Sequence, residues 1–228
     1  MGRLLSLLRR LRSRALGALA LYLAQPVRPP SASRTADPLS LSSVLLPGDV
    51  LLSDGNTRAA AIVRRITRSP WSHVSMYVGP LEAGPDPRCI VEADVAAGVR
   101  AVRLSELKGL HVRVLRPTGL SGLERRQLAD WVTSRIGGDY DLAHAWMLAS
   151  KLLRLPLGPR LHASASLAQS ATRFICSSLL AQAFMLVGLP IMPALIGLRE
   201  PAAGNHRFVT PHDFQSAPVF EVVKSTRT

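Results

Sequence analysis

Residues 69–79 read SPWSHVSMYVG. The Ser-Pro-Trp-Ser lead-in is turn chemistry, and the stretch after it alternates. Val74, Met76 and Val78 share one face; His73, Ser75 and Tyr77 share the other. A period of two marks a strand with two unlike faces, so a strand is predicted over 72–78 with a histidine on its more polar side. An imidazole fixed on a strand titrates near neutral pH and can serve as a general base. The plainer alternative is a structurally bonded or exposed histidine. His111, His144, His162, His206 and His212 have weaker settings.

Upstream, VLLPGDVLLSD (44–54) reads as a turn at Pro47-Gly48 and a short apolar strand. Asn56 can then cap a helix, TRAAAIVRRIT. Downstream, CIVEAD (89–94) and HVRVLRP (111–117) read as further strands, with Ile90, Glu92 and Asp94 on a common face. If the strands are antiparallel neighbours, Glu92 or Asp94 lies beside His73 and can hold its imidazole by a hydrogen bond. Ser121 and Glu124 form a capping box before LADWVTSRI, which ends at Gly137-Gly138. GDYDLAHAWMLASKLLRL is helical and apolar up to Pro156, and TPHDF (210–214) and VFEVV suggest a helical turn and an edge strand. Helices mixed with a central cluster of strands make an α+β fold.

The last strong helix is ICSSLLAQAFMLVG, stopped by Gly188 and Pro190. Leu179, Leu180, Ala183, Phe184 and Val187 give it an apolar face, so Cys176 falls at its N-terminus. Unpaired N–H groups and the helix dipole favour an anion there, which lowers a thiol pKa toward the reactive thiolate. The same N–H groups can receive the oxyanion of an acyl-transfer intermediate. The competing reading is a small buried residue at the start of a core helix. Asp49, in LPGDV, and Tyr140-Asp141, in GGDYD, sit at glycine-rich turns, where acids are commonly turn-formers. Tyr140, Asp49 and Ser72 remain possible site-lining residues, Tyr140 as an oxyanion-side donor.

Composition narrows the class. The chain has 228 residues, 47% hydrophobic and 19% charged, enough apolar material for one domain with a core. The two cysteines, Cys89 and Cys176, cannot build a disulfide framework, and no CxxC, GxxxxGK[ST] or GxGxxG occurs. A structural zinc site and phosphate-loop chemistry are not expected. The net charge is +13, and residues 1–40 hold seven arginines against one acid. Such a chain is drawn to anionic partners. With 5% aromatics and no zinc-finger or recognition-helix signature, a membrane surface is preferred to nucleic acid.

Residues 1–24, MGRLLSLLRRLRSRALGALALYLA, place Leu4, Leu7, Leu8 and Leu11 at helical spacing among five arginines. A basic amphipathic helix on a membrane surface, an export signal and a solvated helix compete for this segment. Residues 25–40 read as a Pro/Ser-rich linker, and the domain is expected over 41–228.

Taken together, PGDVLLS (47–53), SPWSHVSMYVG (69–79), VEADVAAGVRAVRLSEL (91–107), GGDYD (137–141), FICSSLLAQAF (174–184) and VTPHDF (209–214) resemble the circularly permuted branch of the NlpC-type papain-like superfamily, the YiiX/YaeF-like bacterial hydrolases. The order His, acid, Cys is the permuted one, and the likeness spans about residues 44–214. The resemblance implies a small antiparallel sheet packed against a Cys-bearing helix. It implies Cys176 as nucleophile, His73 as base and Glu92 as the polar third member. It also implies hydrolysis or transfer at an amide, ester or thioester without metal or organic cofactor. The family usually reads Cys-Ser-Glu where this chain has Cys-Ser-Ser, with Ser178 in place of the acid, and the apolar stretch 142–173 is long enough for a lid or lipid-facing wall.

The leading expectation is a Cys-His-Glu thiol hydrolase, an amidase or peptidase acting on cell-wall or short peptides at the bacterial envelope or inner membrane face. A lipid acylhydrolase or acyltransferase at a membrane, and a non-catalytic membrane-associated binding module, are the alternatives.

Overall fold

The structure is a computed structural model, and it describes residues 17–18, 20–27, 37–141, 173–191 and 209–223. Its elements follow the local signals closely. Asp37 caps a short helix, α1 (Pro38–Ser42), by accepting from the Leu39 and Ser40 N–H groups. Leu46-Pro47-Gly48-Asp49 makes a turn closed by Asp49 N–H to Leu46 C=O, with Gly48 at φ +88°, the conformation that selects glycine third in a type II turn. Strand β1 (Val50–Ser53) leads to helix α2 (Arg58–Thr67). Its N-cap is Thr57, whose Oγ1 accepts from Ala60 N–H at 3.2 Å, one residue later than the expected Asn56.

Strands β2 (His73–Tyr77), β3 (Arg88–Asp94) and β4 (Gly98–Arg103) follow, then a 3-10 turn (Leu104–Leu107), β5 (Val112–Pro117) and helix α3 (Gly122–Thr133) behind the Ser121/Glu124 capping box. Two-residue strands β6 (Asp139–Tyr140) and β7 (Arg173–Phe174) lead into helix α4 (Cys176–Leu186), and helix α5 (Pro211–Ser216) and strand β8 (Phe220–Val223) complete the described chain. The six long strands form one antiparallel sheet in the order β4-β3-β2-β1-β5-β8, with β8 at the edge as its sequence suggests. β4 adds a strand to those read from the sequence.

The sheet has two apolar faces because its strands alternate apolar residues on both sides. Val50, Leu52, Val74, Met76 and Val91 pack with Leu128 and Val132 of α3 and with Leu179, Leu180, Ala183 and Phe184 of α4. Leu51, Ile90, Val102 and Val114 pack beneath Leu41, Leu45, Leu104 and Leu107. Burying a large apolar side chain contributes about 1.5–3 kcal/mol, so the first layer fixes α4 firmly on β2. Phe184 meets Phe220 edge-on at 5.2 Å and Phe214 at 6.5 Å, which ties α4 to α5 and β8. This is the expected α+β arrangement of a small antiparallel sheet against a Cys-bearing helix.

Residues 20–24 are helical, and Pro26 bridges Thr57, with Val27 N–H donating to Asn56 C=O and Arg58 N–H to Gln25 C=O. The arginine-rich residues 1–16 and most of the apolar stretch 142–173 lie outside the described residues, so the membrane-helix and lid expectations fall there. Among the described residues no helix is long and apolar enough to cross a membrane.

Candidate active site

Trp71 sets where β2 begins. It is 1% exposed, its indole N–H donates to Gln215 Oε1 on α5, Arg113 lies over its ring and His111 packs beside it. Ser72 then donates twice, from N–H (3.0 Å) and Oγ (3.3 Å), to Ser53 C=O. His73 is therefore the first residue of the strand, paired with Ser53 at the last residue of β1. Its ring comes off the sheet at an open end.

Glu92 comes from the neighbouring strand. β2 and β3 are antiparallel, with Met76 opposite Val91 and Tyr77 opposite Ile90. His73 and Glu92 thus share a face, and Glu92 Oε2 lies 2.8 Å from His73 Nε2. Asp94, the other acid on that face, is turned away: its Oδ1 accepts from the N–H groups of Ala96 and Ala97 and shapes the β3–β4 turn. Glu92 Oε1 accepts from Arg100 Nε (3.0 Å) and lies 2.8 Å from Arg100 Nη2. Arg100 sits directly across the ladder, since Glu92 and Arg100 are register partners. Sequence reasoning missed it; the signal was an arginine opposite an acid in a hairpin, which needs the pairing register to be seen.

Cys176 arrives from the far side of the core. Helix α4 packs on β2, and its first residue brings Sγ to the His73 imidazole and to the N–H groups of Val74 and Ser177. With Nε2 engaged by Glu92, Nδ1 is the ring nitrogen left for sulfur. Burial alone would raise the thiol, but the neighbouring imidazole and the two N–H groups outweigh it, and the Cys176 pKa is lowered. Burial likewise works against a charged His73, yet Glu92 and the Cys176 sulfur raise it well above its ordinary value. Glu92 is buried, which opposes ionisation, but His73 and Arg100 hold it down at about 2. All three shifts favour one state: thiolate, imidazolium, carboxylate.

Ser178 explains the missing acid. At the third position of α4 its Oγ accepts from Ile175 N–H at 3.1 Å and returns its own proton to Ile175 C=O. An acid at this position reaches back to the same N–H in a capping box. Serine makes that bond at 1% exposure without burying a charge. Ser177 Oγ donates to Val209 C=O at 2.6 Å, which fastens the 209–214 segment beside Cys176.

Tyr140 is placed by a close backbone crossing. Gly98 has φ +73°, and a Cβ there would lie 2.3 Å from Gly138 C=O. Without one, Val99 N–H bonds Gly138 C=O and Gly137 N–H bonds Val99 C=O, both at 2.8 Å. This pins β6 against β4, and β6 pairs in parallel with β7 immediately before Cys176. Burial and the nearby Cys176 sulfur raise the Tyr140 phenol, so it stays a protonated donor.

Cys176, His73, Glu92, Tyr140, Ser72 and Arg100 all line one cavity of about 260 Å³. Asp49 does not. It sits at the other end of β1, fully buried, 2.7 Å from Arg116 Nη2 and 3.5 Å from Arg125 Nη1, and accepts from Leu46 N–H. The expectation of a site-lining role for Asp49 is corrected to a structural one: a four-residue strand at about 3.3 Å per residue separates it from His73.

Comparison with known families finds that residues 44–152 match the permuted papain-like amidase enzymes, the YaeF/YiiX or C92 family. The match takes in His73, Glu92 and Tyr140 and ends before Cys176, which the fold supplies. Comparison with curated proteins gives no match. Among solved structures, the metalloprotein YiiX from Escherichia coli O157:H7 superposes with TM-score 0.52 at 19% identity, covering 78% of this chain and 96% of that one. Among the described residues here, no group of three or more His, Cys, Asp or Glu is gathered to hold a metal ion. The sequence match over 44–152, just under half of the chain, and the shared fold agree: the chain is similar to the permuted papain-like amidases of the YaeF/YiiX family.

Proposed function

We propose that this protein cleaves an amide bond, on cell-wall or other short peptides, by thiol acyl transfer through Cys176, His73 and Glu92. The observation that carries the reading is the contact chain from Cys176 to His73 to Glu92 at the floor of a cavity, with both pKa shifts of the Cys–His pair directed toward the ion pair.

In this reading the Cys176 thiolate attacks the carbonyl carbon and an S–C bond forms. The oxyanion is received by N–H groups at the start of α4 and by the Tyr140 hydroxyl. The His73 imidazolium gives its proton to the departing amine as the C–N bond breaks. Neutral His73 then takes a proton from water, which attacks the thioester and releases the carboxylic acid, and the ion pair is restored. Glu92 keeps the imidazole oriented and takes no proton.

The test is a short pulse of iodoacetamide at about pH 7, read by mass spectrometry. Cys176 should be alkylated far faster than Cys89, whose thiol is raised, chiefly by burial. His73→Ala should slow Cys176 alone. Equal rates at the two cysteines would remove the catalytic pair and leave a binding module.

The basic N-terminus supports placing this chemistry at an anionic membrane surface. Vesicles of anionic lipid should pellet the full chain and leave a chain starting at Leu41 in solution; loss of both or retention of both would end that part of the reading.

A further inference from the structure

Most hydrogen-bonding side chains that line the cavity are already committed. Ser72 Oγ donates to Ser53 C=O, Thr57 Oγ1 accepts from Ala60 N–H, Ser177 Oγ donates to Val209 C=O and Thr210 Oγ1 donates to Asp213 Oδ2. Glu92, Arg100 and Glu106 are joined by ion pairs, and Asp94 accepts from its own turn. Tyr140 has the oxyanion role given above. Two lining side chains are left with no hydrogen-bond partner among the described residues: the Ser53 hydroxyl and the Asn56 carboxamide. Ser53 is only 4% exposed. A polar group so enclosed is normally bonded in a folded protein, so one left open toward a cavity is free to bond what enters it.

Their position gives these two groups a side of the reaction. In the sheet order β4-β3-β2-β1, Tyr140 is held against β4, Glu92 lies on β3, His73 on β2 and Ser53 on β1. Ser53 and His73 are register partners, so their side chains share a face with Cβ atoms about 4.5–5.5 Å apart. Asn56 follows three residues later, its C=O fixed by the Val27 N–H at 2.7 Å. In the tetrahedral intermediate the oxyanion lies toward Tyr140 and the nitrogen toward His73. Groups beyond His73, on the β1 side, therefore meet what the nitrogen carries.

We infer that Ser53 and Asn56 form the leaving-group subsite, and that the departing amine carries a hydrogen-bonding carbonyl or amide, as the amine half of a peptide does. The inference rests on the thiol reading above and names its leaving side. An amide on the amine accepts from Ser53 Oγ and exchanges hydrogen bonds with the Asn56 carboxamide. A plain alkylamine leaves both unpaired, and a site built to bond a polar group discriminates against the analogue that lacks it. The same contacts serve the reverse direction. An amine bound there attacks the Cys176 thioester, the N–C bond forms as the S–C bond breaks, and the amine proton passes to neutral His73.

The experiment runs that reverse step on the full chain. p-Nitrophenyl acetate acylates the protein, and intact mass shows the acetyl thioester on Cys176. Glycinamide and propylamine are then offered together, and N-acetylglycinamide, N-acetylpropylamine and acetate are measured by mass spectrometry. Ser53→Ala and Asn56→Leu should each lower the glycinamide-to-propylamine product ratio about five-fold, the size of one lost hydrogen bond. The intrinsic reactivity of each amine cancels between wild type and variant. Ser53→Thr keeps the hydroxyl and should keep the ratio, as should Ile62→Ala on the exposed side of α2. Asn56→Leu, in the β1–α2 connection, decides alone if Ser53→Ala does not fold. The wild-type ratio in both variants, or acetate as the sole product with either amine, overturns the subsite alone. Absence of any thioester on Cys176 overturns this inference together with the thiol reading.

Discussion

Two buried carboxylates, Asp49 just before β1 and Glu92 on β3, each face arginine. Asp49 is enclosed by Arg116, Arg125 and the Leu46 N–H, with no exposure, and it does not line the cavity at Cys176. Glu92 divides its oxygens between one arginine and one imidazole, and it borders the cavity. Asp49 is neutralised by groups that never titrate near neutral pH, so it can only hold β1, β5 and α3 together. Glu92 is neutralised half by Arg100 and half by a group whose proton can move. A buried charge becomes chemistry when one partner is titratable and the site is open; otherwise it is a clamp.

The comparison breaks most visibly at Asp49. Asp49→Ala leaves two arginines facing an emptied site and should cost about 3–5 kcal/mol of stability, read by denaturant unfolding. Activity per folded molecule should persist, and a specific loss of kcat would show that the two carboxylates are not separate. Glu92→Gln should do the reverse. It should lower kcat/KM by roughly 100-fold with a modest loss of stability, because the imidazole loses its fixed partner. A wild-type rate would place the orienting group elsewhere.

The smallest effect sharpens the contrast most. Arg100→Gln should lower kcat/KM by about ten-fold or less and leave KM nearly unchanged. It should also move two pH readings in a set direction. Glu92 ionises at about 2 in the folded chain against an ordinary 4.5, so its stabilisation is present above 4.5 and is lost as pH falls toward 2. Without Arg100 the folded value rises, and acid unfolding should begin at higher pH. The less compensated carboxylate also favours the imidazolium, so the alkaline limb of the rate profile should move up. Acid unfolding and rate profile both unmoved would reduce Arg100 to a surface ion pair.

Some of the site was legible because its signals are local. Alternation around His73 reports a strand, and the helix start at Cys176 follows from apolar spacing downstream of it. The shared face of Ile90, Glu92 and Asp94 follows from the same period of two. The choice between Glu92 and Asp94 was not legible, since it turns on the Asp94 side chain being taken by Ala96 and Ala97. Asp49 looked like a site acid because a turn carboxylate has no local mark of its distant partners: Arg116 is 67 residues away and Arg125 is 76. The Asn56 cap failed by one residue because Asn and Thr are both good caps and only backbone geometry separates them.

The sequence by itself determined the parts: an α+β chain, a histidine on a strand, an acid on a later strand and a cysteine heading an apolar helix. These are written in periods of two and of about 3.6 residues, which need no knowledge of what packs where. Tertiary structure decided the assembly. The antiparallel register sets Glu92 between His73 and Arg100, the α4–β2 packing carries Cys176 to a histidine about a hundred residues earlier, and the bare Cα of Gly98 admits the Gly138 carbonyl that brings Tyr140 alongside. Register and packing are set by which apolar faces meet, a property of the whole core that no local stretch contains.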